Sequence, residues 1–197
     1  MIDVIIIGNG PAGISAALYL QRGGLNSCLI GKDGGALEKA HLIENYYGLS
    51  RPVSGKELHG QGLRQAEQLG AKVIQDEVVG VGWQGEFIVN TKKEEYKAPV
   101  LLLTTGASRN TPNIPGVKEF EGKGVSYCAV CDAFFYRNRP VAVLGSGSYA
   151  VHEALALLPT SSSVTLLTNG QELKEPIPKD LRICRKEISS LSGDSLL

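Results

Sequence analysis

An α/β protein built of two doubly wound, parallel-sheet units is what the sequence predicts, and three features predict it. The apolar run Ile2–Ile7 lacks polar alternation, as strands buried on both faces do, and the run Pro140–Leu144 reads as a second strand of the same pattern. Each run enters a glycine-rich turn at once, Gly8-Asn9-Gly10-Pro11-Ala12-Gly13 and Gly145-Ser146-Gly147-Ser148-Tyr149-Ala150, and each turn opens a helix. Between the two units lies Asn110-Thr111-Pro112-Asn113-Ile114-Pro115-Gly116, where two prolines in four residues disfavour both helix and central strand.

Taken in order, the first helix runs through Ile14–Leu20 and is closed by Gly23-Gly24, with Pro11 in a first turn that needs no N–H from it. Ser27–Ile30 reads as the next parallel strand, which completes one β-α-β unit. Ser54-Gly55-Lys56-Glu57 has capping-box spacing and starts a helix that Gly70 stops. The short runs Ala71–Gln75, Val78–Trp83, Glu86–Thr91 and Tyr96–Thr104 read as a meander or hairpins, with Val100–Leu103 returning to the central sheet. After the prolines the pattern repeats: strand Pro140–Leu144, helix Val151–Leu158 stopped by Pro159, strand Val164–Thr168, and a third strand within Arg182–Ile188. The expected division is a first unit at 1–110, a semi-rigid linker at 111–117 and a second unit at 118–197. Both units are Rossmann-like with three layers, and both are expected to be incomplete at their C-terminal ends, because a doubly wound half generally needs a βαβαβ set.

Composition removes several function classes. Charged residues are 20% and hydrophobic residues 43% of the chain, too apolar for intrinsic disorder. Twenty basic residues balance twenty acidic ones, so no net field recruits nucleic acid or anionic lipid. The 24 glycines show no three-residue period, which excludes collagen. No apolar run reaches the ~18 residues of a membrane span. The Met1-Ile2-Asp3-Val4 start has no basic leader region, so a cytoplasmic location is expected.

The first turn has the setting of a dinucleotide site. One glycine permits the tight turn, one lets a pyrophosphate approach the backbone, and one lets the helix pack on the strand. The phosphates then meet N–H groups at the positive end of the helix. The acidic residue that usually holds the adenosine ribose is missing: that place reads Gly31-Lys32-Asp33, so backbone groups, Lys32 and Asp33 are all candidates. The second turn marks Gly145, Gly147, Ser148 and Ala150 as candidate nucleotide contacts. Its specificity position, Thr168-Asn169-Gly170, carries neither an acid nor an arginine, leaving both a nucleotide site and a bare scaffold open.

Of the four cysteines, Cys128 and Cys131 form a Cys-x-x-Cys pair followed by Asp132. In a reducing compartment such a pair points to redox chemistry. If the pair opens a helix, the dipole favours the thiolate, and Asp132 can move a proton by general acid–base action. Zinc needs about four ligands, and no second pair or His-x-x-x-His accompanies this one, so no metal is expected. Cys28 and Cys184 lie in apolar runs and read as core thiols, and His41, His59 and His152 as surface or internally satisfied residues.

Two dinucleotide-type units with an intervening Cys-x-x-Cys resemble the low-molecular-weight thioredoxin reductases. The resemblance rests on Ile43–Gly48, Val53–Leu58, Thr104–Ser108, Ile114-Pro115-Gly116 and Gly124–Asp132. It implies a flavoprotein disulfide oxidoreductase with FAD against Gly8, Gly10, Pro11, Ala12 and Gly13, and with Gly35, Ala36, Leu37, Asn45, Val78, Thr105 and Gly106 along the rest of the flavin nucleotide. Cys131 would be the flavin-side thiol, Cys128 the interchange thiol toward a thioredoxin-like partner, and Asp132 the acid–base group. The linker would let the second domain swivel between nicotinamide and dithiol presentation, and the protein is expected to be a homodimer.

Three departures keep alternatives open. The His-Arg-Arg segment of NADPH-using relatives is replaced by Thr168-Asn169-Gly170, so NADPH, NADH and ferredoxin all remain as donors. Ala36 stands where a glutamine is common, and the family's C-terminal return to the FAD domain is absent. The sequence therefore reads as truncated, and a non-catalytic flavoprotein module is the remaining alternative.

Overall fold

The computed structural model describes residues 1–107, 111–173, 176, 179 and 181–194, with only the backbone of Val130 and Cys131. Ser108 and Asn110, which belong to the sequence motifs above, lie outside the described residues. The chain divides into two compact units, Met1–Arg109 and Asn110–Leu197.

In the first unit, β1 (Val4–Ile7), β2 (Ser27–Gly31), β3 (Lys72–Gln75) and β7 (Val100–Leu103) form a parallel sheet in the order β3-β2-β1-β7. β1 pairs with β2 from Val4 opposite Ser27, and with β7 from Val4 opposite Val100. A second sheet is the antiparallel meander of β4 (Val78–Trp83), β5 (Phe87–Thr91) and β6 (Glu95–Ala98). Helices α1 (Pro11–Arg22) and α2 (Gly55–Gln68) cover one face of the parallel sheet.

Side-chain alternation sorts the core into two layers. Val4, Ile6 and Leu29 pack with Ile14, Ala17 and Ala66 of the helices, while Ile5, Ile7, Cys28 and Ile30 pack with Val89, Tyr96 and Ala98 of the meander. Ile5, Ile6, Leu29 and Ile30 are fully buried, each side chain contributing about 1.5–3 kcal/mol of hydrophobic stabilisation. The absence of alternation in the β1 sequence thus has its cause: both faces of this strand are covered.

Two strand expectations need correction. Ala71–Gln75 was expected in the meander, but Lys72–Gln75 lies parallel to β2. Parallel pairing requires a crossover, and α2 supplies it. Tyr96–Thr104 was expected as one run, but it divides at Pro99 into β6 and β7, which belong to different sheets. Pro99 offers no N–H to extend either ladder.

The second unit repeats the first on a smaller scale. Its sheet is parallel, in the order β10 (Arg182–Cys184), β9 (Ser163–Leu167), β8 (Pro140–Leu144). Helix α4 (Ser148–Leu157) packs Ala150, Val151, Ala154 and Leu157 against Val164, Leu166 and Leu181. Within this unit Ile114, Val117 and Phe120 are buried, and Leu191 N–H donates to the Pro115 carbonyl at 2.8 Å. Among the described residues no helix is long and apolar enough to cross a membrane.

Cys28 is a free thiol with no solvent exposure, and burial pushes it up to about 11, with Lys72 opposing the shift. Cys184 is also free but partly exposed. Iodoacetamide at mildly alkaline pH is expected to label Cys184 in the native protein and to reach Cys28 only after urea unfolding, as read by peptide mass spectrometry. Equal labelling of both thiols in the native state contradicts this burial.

Candidate functional site

The parallel register of β1, β2 and β7 brings three loops to one edge of the sheet, the C-terminal edge where ligands of open α/β sheets bind. The Gly8–Gly13 turn follows β1, Gly31-Lys32-Asp33 closes β2, and Thr104-Thr105-Gly106 follows β7. Gly8 N–H donates to Ile30 O at 2.8 Å, and Thr104 N–H donates to Ile7 O at 2.8 Å. The Thr104 hydroxyl donates to Gly8 O at 2.8 Å, tying the loop after β7 to the loop after β1.

The glycines of this turn do different things. Gly8 has φ +111°, and a Cβ there would lie 2.3 Å from the Thr104 carbonyl oxygen. A Cβ on Gly13 would lie 1.9 Å from Gly8 O, so α1 can pack this closely on β1 only through a glycine. Gly10 is different: its Cβ direction meets nothing within 4 Å. It is the N-cap of α1, with no side-chain cap and no acidic residue in the first turn. No acidic residue of the first turn offsets the positive end of α1, and Pro11 and Ala12 beside it are exposed. These features fit a pyrophosphate, which needs close backbone approach and N–H groups without a competing anion.

The other sequence-predicted nucleotide residues of the first unit lie on the segments between β2 and α2, at the start of β4 and after β7. Gly35, Ala36 and Leu37 form a 3-10 turn, Gly35–Lys39, that the sequence reading did not anticipate. It is seated on α2: Gly55 N–H donates to Ala40 O at 2.8 Å, and a Cβ on Gly55 would lie 1.7 Å from Leu37 O. Ser54 caps α2 by accepting from Glu57 N–H at 3.1 Å, while the Glu57 carboxylate pairs with Arg51 instead of closing the reciprocal half of a capping box. Asn45 is exposed between that turn and α2. Val78 opens β4 directly after Asp76-Glu77. The Asp76 carboxylate accepts from Glu77 N–H at 2.8 Å and Lys93 N–H at 3.1 Å. The Thr91 hydroxyl first, and these N–H groups with it, hold the Asp76 carboxyl below the usual carboxylate range. Lys32 is drawn toward Glu77 at 3.6 Å.

The second unit copies the first turn in detail. Gly145 N–H donates to Leu167 O at 2.9 Å, matching Gly8 with Ile30, and Gly147 caps α4 as Gly10 caps α1. Ala150 takes the place of Gly13, and a Cβ on Gly145 would lie 2.7 Å from the Ala150 methyl. Ser148 is the first residue of α4 and is exposed. The specificity position is internally committed: Asn169 Oδ1 accepts from Ile188 N–H at 2.7 Å, Thr168 is buried, and the Ser146 hydroxyl donates to Gln171 Oε1 at 2.6 Å.

Cys128 is disulfide-bonded. The side chain of Cys131 lies outside the described residues. The Cys128 N–H donates to the Ser126 hydroxyl at 3.1 Å, and that hydroxyl donates in turn to the Asp132 carboxylate. Ala129 N–H donates to Glu153 Oε2, 2.9 Å away on α4. Ser126 and Glu153 are the residues that sequence reasoning did not assign, since neither follows from a Cys-x-x-Cys spacing. The helix expected at the pair is only the single turn α3 (Ala129–Asp132), too short for the extended dipole invoked from the sequence. Local hydrogen bonds surround Cys128 instead. Among the described residues no group of three His, Cys, Asp or Glu could hold a metal ion.

Two Rossmann-type units, each presenting a strand–glycine turn–helix at the C-terminal edge of a parallel sheet, define a protein of the double dinucleotide-fold class. The sequence matches the pyridine nucleotide-disulphide oxidoreductase family over residues 2–190, and the chain belongs to that family. It is 39% identical over 175 residues to a thioredoxin reductase of Peptoclostridium acidaminophilum, covering 87% of this chain and 56% of that protein. It is 44% identical over 168 residues to a thioredoxin reductase of Rickettsia bellii, covering 83% and 54%. A solved thioredoxin reductase from Streptococcus pyogenes has a TM-score of 0.84 at 30% identity, covering 100% of this chain and 68% of that one. One from Giardia duodenalis has a TM-score of 0.87 at 26% identity, covering 98% and 67%. The chain thus spans just over half the length of the curated relatives it matches.

The crowded Gly13 and the open Gly10 separate packing from ligand access. Gly13→Ala is expected to lower unfolding free energy by about 1–3 kcal/mol through overpacking. Gly10→Ala is expected to cost less than about 1 kcal/mol, the difference between glycine and alanine at an N-cap. Urea denaturation of the two variants side by side measures this, and equal losses refute the assignment.

Proposed function

We propose that the protein is a flavoprotein disulfide oxidoreductase. It passes electrons from a reduced donor through FAD to the Cys128–Cys131 disulfide and on to a thioredoxin-like protein. The observation that carries this reading is the disulfide-bonded Cys128, framed by Ser126 and Asp132, in a chain whose first unit has an open glycine turn fit for a pyrophosphate. The named thioredoxin reductases of similar sequence and fold support it.

FAD held at Gly8, Gly10, Pro11, Ala12 and Gly13, and along Gly35–Leu37, Asn45, Val78, Thr105 and Gly106, supplies reversible two-electron chemistry. The roles of the protein's own groups follow from thiol chemistry. Two electrons and two protons convert the Cys128–Cys131 disulfide to two thiols. The Cys128 thiolate then attacks one sulfur of the partner's disulfide, giving a mixed disulfide and releasing the partner's other sulfur as a thiol. Cys131 attacks Cys128, re-forming the internal disulfide and releasing the reduced partner. Asp132 delivers and takes up the protons, with its carboxylate oriented by the Ser126 hydroxyl. The segment at 111–117 serves as the hinge between a domain at 1–110 and one at 118–197, and the active species is a homodimer.

The donor is the open choice. Gly145, Gly147, Ser148 and Ala150 provide a second turn suited to NADPH or NADH. The Thr168–Gln171 stretch, however, carries no cation and spends the Asn169 and Gln171 side chains on internal bonds. That observation favours a second reading, the same flavin and disulfide path with NADH or ferredoxin as donor, because a 2′-phosphate calls for a planar cation.

Anaerobic spectra of the FAD-reconstituted protein with NADPH, NADH and reduced ferredoxin distinguish these donors. Cys131→Ser is expected to leave flavin bleaching by the effective donor within about twofold of wild type. Reduction of a thioredoxin-like disulfide is expected to fall by at least a thousandfold, because the internal disulfide cannot form. Failure of the wild-type protein to retain flavin, or transfer to disulfide that survives in the variant, refutes the proposal.

A further inference from the structure

We infer that His59 is a positioning residue that presets the first glycine turn for the flavin nucleotide, an inference that rests on the FAD reading above. His59 lies on α2 and is only 6% exposed. Its two ring nitrogens address two different parts of the site. Nε2 lies 2.9 Å from the main-chain oxygen of Asn9, the residue between Gly8 and Gly10. Nδ1 lies 3.5 Å from Oε1 of Glu38, on the 3-10 turn that also contains Gly35, Ala36 and Leu37. A carbonyl oxygen only accepts, so the proton in the first contact sits on Nε2.

The Asn9 peptide is the link between this imidazole and the ligand. A trans peptide directs its C=O and N–H to opposite sides. Anchoring the Asn9 carbonyl to α2 therefore turns the Gly10 N–H away from α2, at the residue whose Cβ direction is open. Asn9 is itself 4% exposed, and its Nδ2 donates to Gly31 O at 3.4 Å, at the end of β2. Its Oδ1 is buried with no hydrogen-bond partner. The turn is thus strung between β2 on one side and α2 on the other, and it retains an unused acceptor beside the place where the usual ribose-binding acid is missing. On the far side of the ring, a Cβ at Gly34 would lie 2.7 Å from His59 Nδ1 and 2.6 Å from Glu38 Cγ. The main chain leading into the 3-10 turn therefore runs against the imidazole. The ring thus sits between the glycine turn and the segment leading into the 3-10 turn, two stretches assigned to the same dinucleotide.

Two substitutions dissect the contacts, because the amide nitrogen of Gln reaches as far as Nε2 and that of Asn only as far as Nδ1. His59→Gln retains a donor for the Asn9 carbonyl, whereas His59→Asn abandons it and keeps only the side facing Glu38. FAD titration of the flavin-free protein, followed by fluorescence quenching, is expected to give a Kd within about twofold of wild type for H59Q. For H59N the Kd is expected to rise about five- to tenfold, the loss of one buried hydrogen bond. Hydrogen–deuterium exchange of residues 8–14 in the flavin-free protein is expected to accelerate in H59N and not in H59Q. Equal Kd shifts in the two variants, or unchanged exchange in H59N, overturn the inference. Wild-type protein that binds no FAD overturns the flavin reading instead, and the exchange comparison then decides by itself whether His59 holds the turn.

Discussion

The approach of Gly13 to the Gly8 carbonyl, too near for any methyl group, is the constraint on which the rest of the first unit depends. It seats the start of α1 on the residue that follows β1, so that the uncapped end of the helix faces the same edge as the loops after β2 and β7. The Thr104 hydroxyl is tied to Gly8 at the same place, and β1 behind it is buried by the helices on one face and by the meander on the other. In the second unit Ala150 stands in for Gly13, so the corresponding place on α4 carries a methyl group. The repetition of the strand-to-turn hydrogen bond, Gly8 to Ile30 and Gly145 to Leu167, shows one solution applied twice in a single chain.

What could be read in advance was whatever a local pattern encodes. Glycine spacing after an apolar strand, a serine three residues before a glutamate, and a cysteine pair with an adjacent aspartate each carry their meaning within a few positions. The fate of Lys72–Gln75 and the break at Pro99 were not local matters. Which sheet a short strand joins depends on where the preceding helix delivers it, and Val100–Leu103 was recognisable as a strand by its continuous apolar run, although Val100, Leu102 and Leu103 remain exposed. The 3-10 turn at Gly35–Lys39 escaped notice because its support comes from α2, through Gly55 and Ala40, and not from its own sequence.

The site shows the same division. Of the residues expected at the nucleotide edge, Gly8, Gly10, Gly35–Leu37, Thr105 and Gly106 lie in segments that follow the parallel strands, Pro11, Ala12 and Gly13 open α1, Val78 opens β4, and Asn45 is exposed between the 3-10 turn and α2. The supporting residues were invisible because they act across the fold. His59 reaches Asn9 over 50 positions, and Glu153 reaches Ala129 over 24. A lone histidine in an amphipathic helix reads equally well as a satisfied bystander, and only the distances distinguish a bystander from a brace. The short helix at the cysteine pair was a case where the sequence suggested one electrostatic device and the structure contains another, hydrogen bonds from a nearby hydroxyl.

The Ser126 hydroxyl has a further consequence. One oxygen atom receives the Cys128 main-chain N–H and gives its own proton to Asp132, so the sulfur-bearing residue and the carboxylate share a common pivot. Any shift of the Cys128 backbone that accompanies a change in its bonding is passed to the carboxylate through that pivot. In the proposed cycle, electron arrival at Cys128 and proton delivery by Asp132 would thereby be geared together by one hydroxyl.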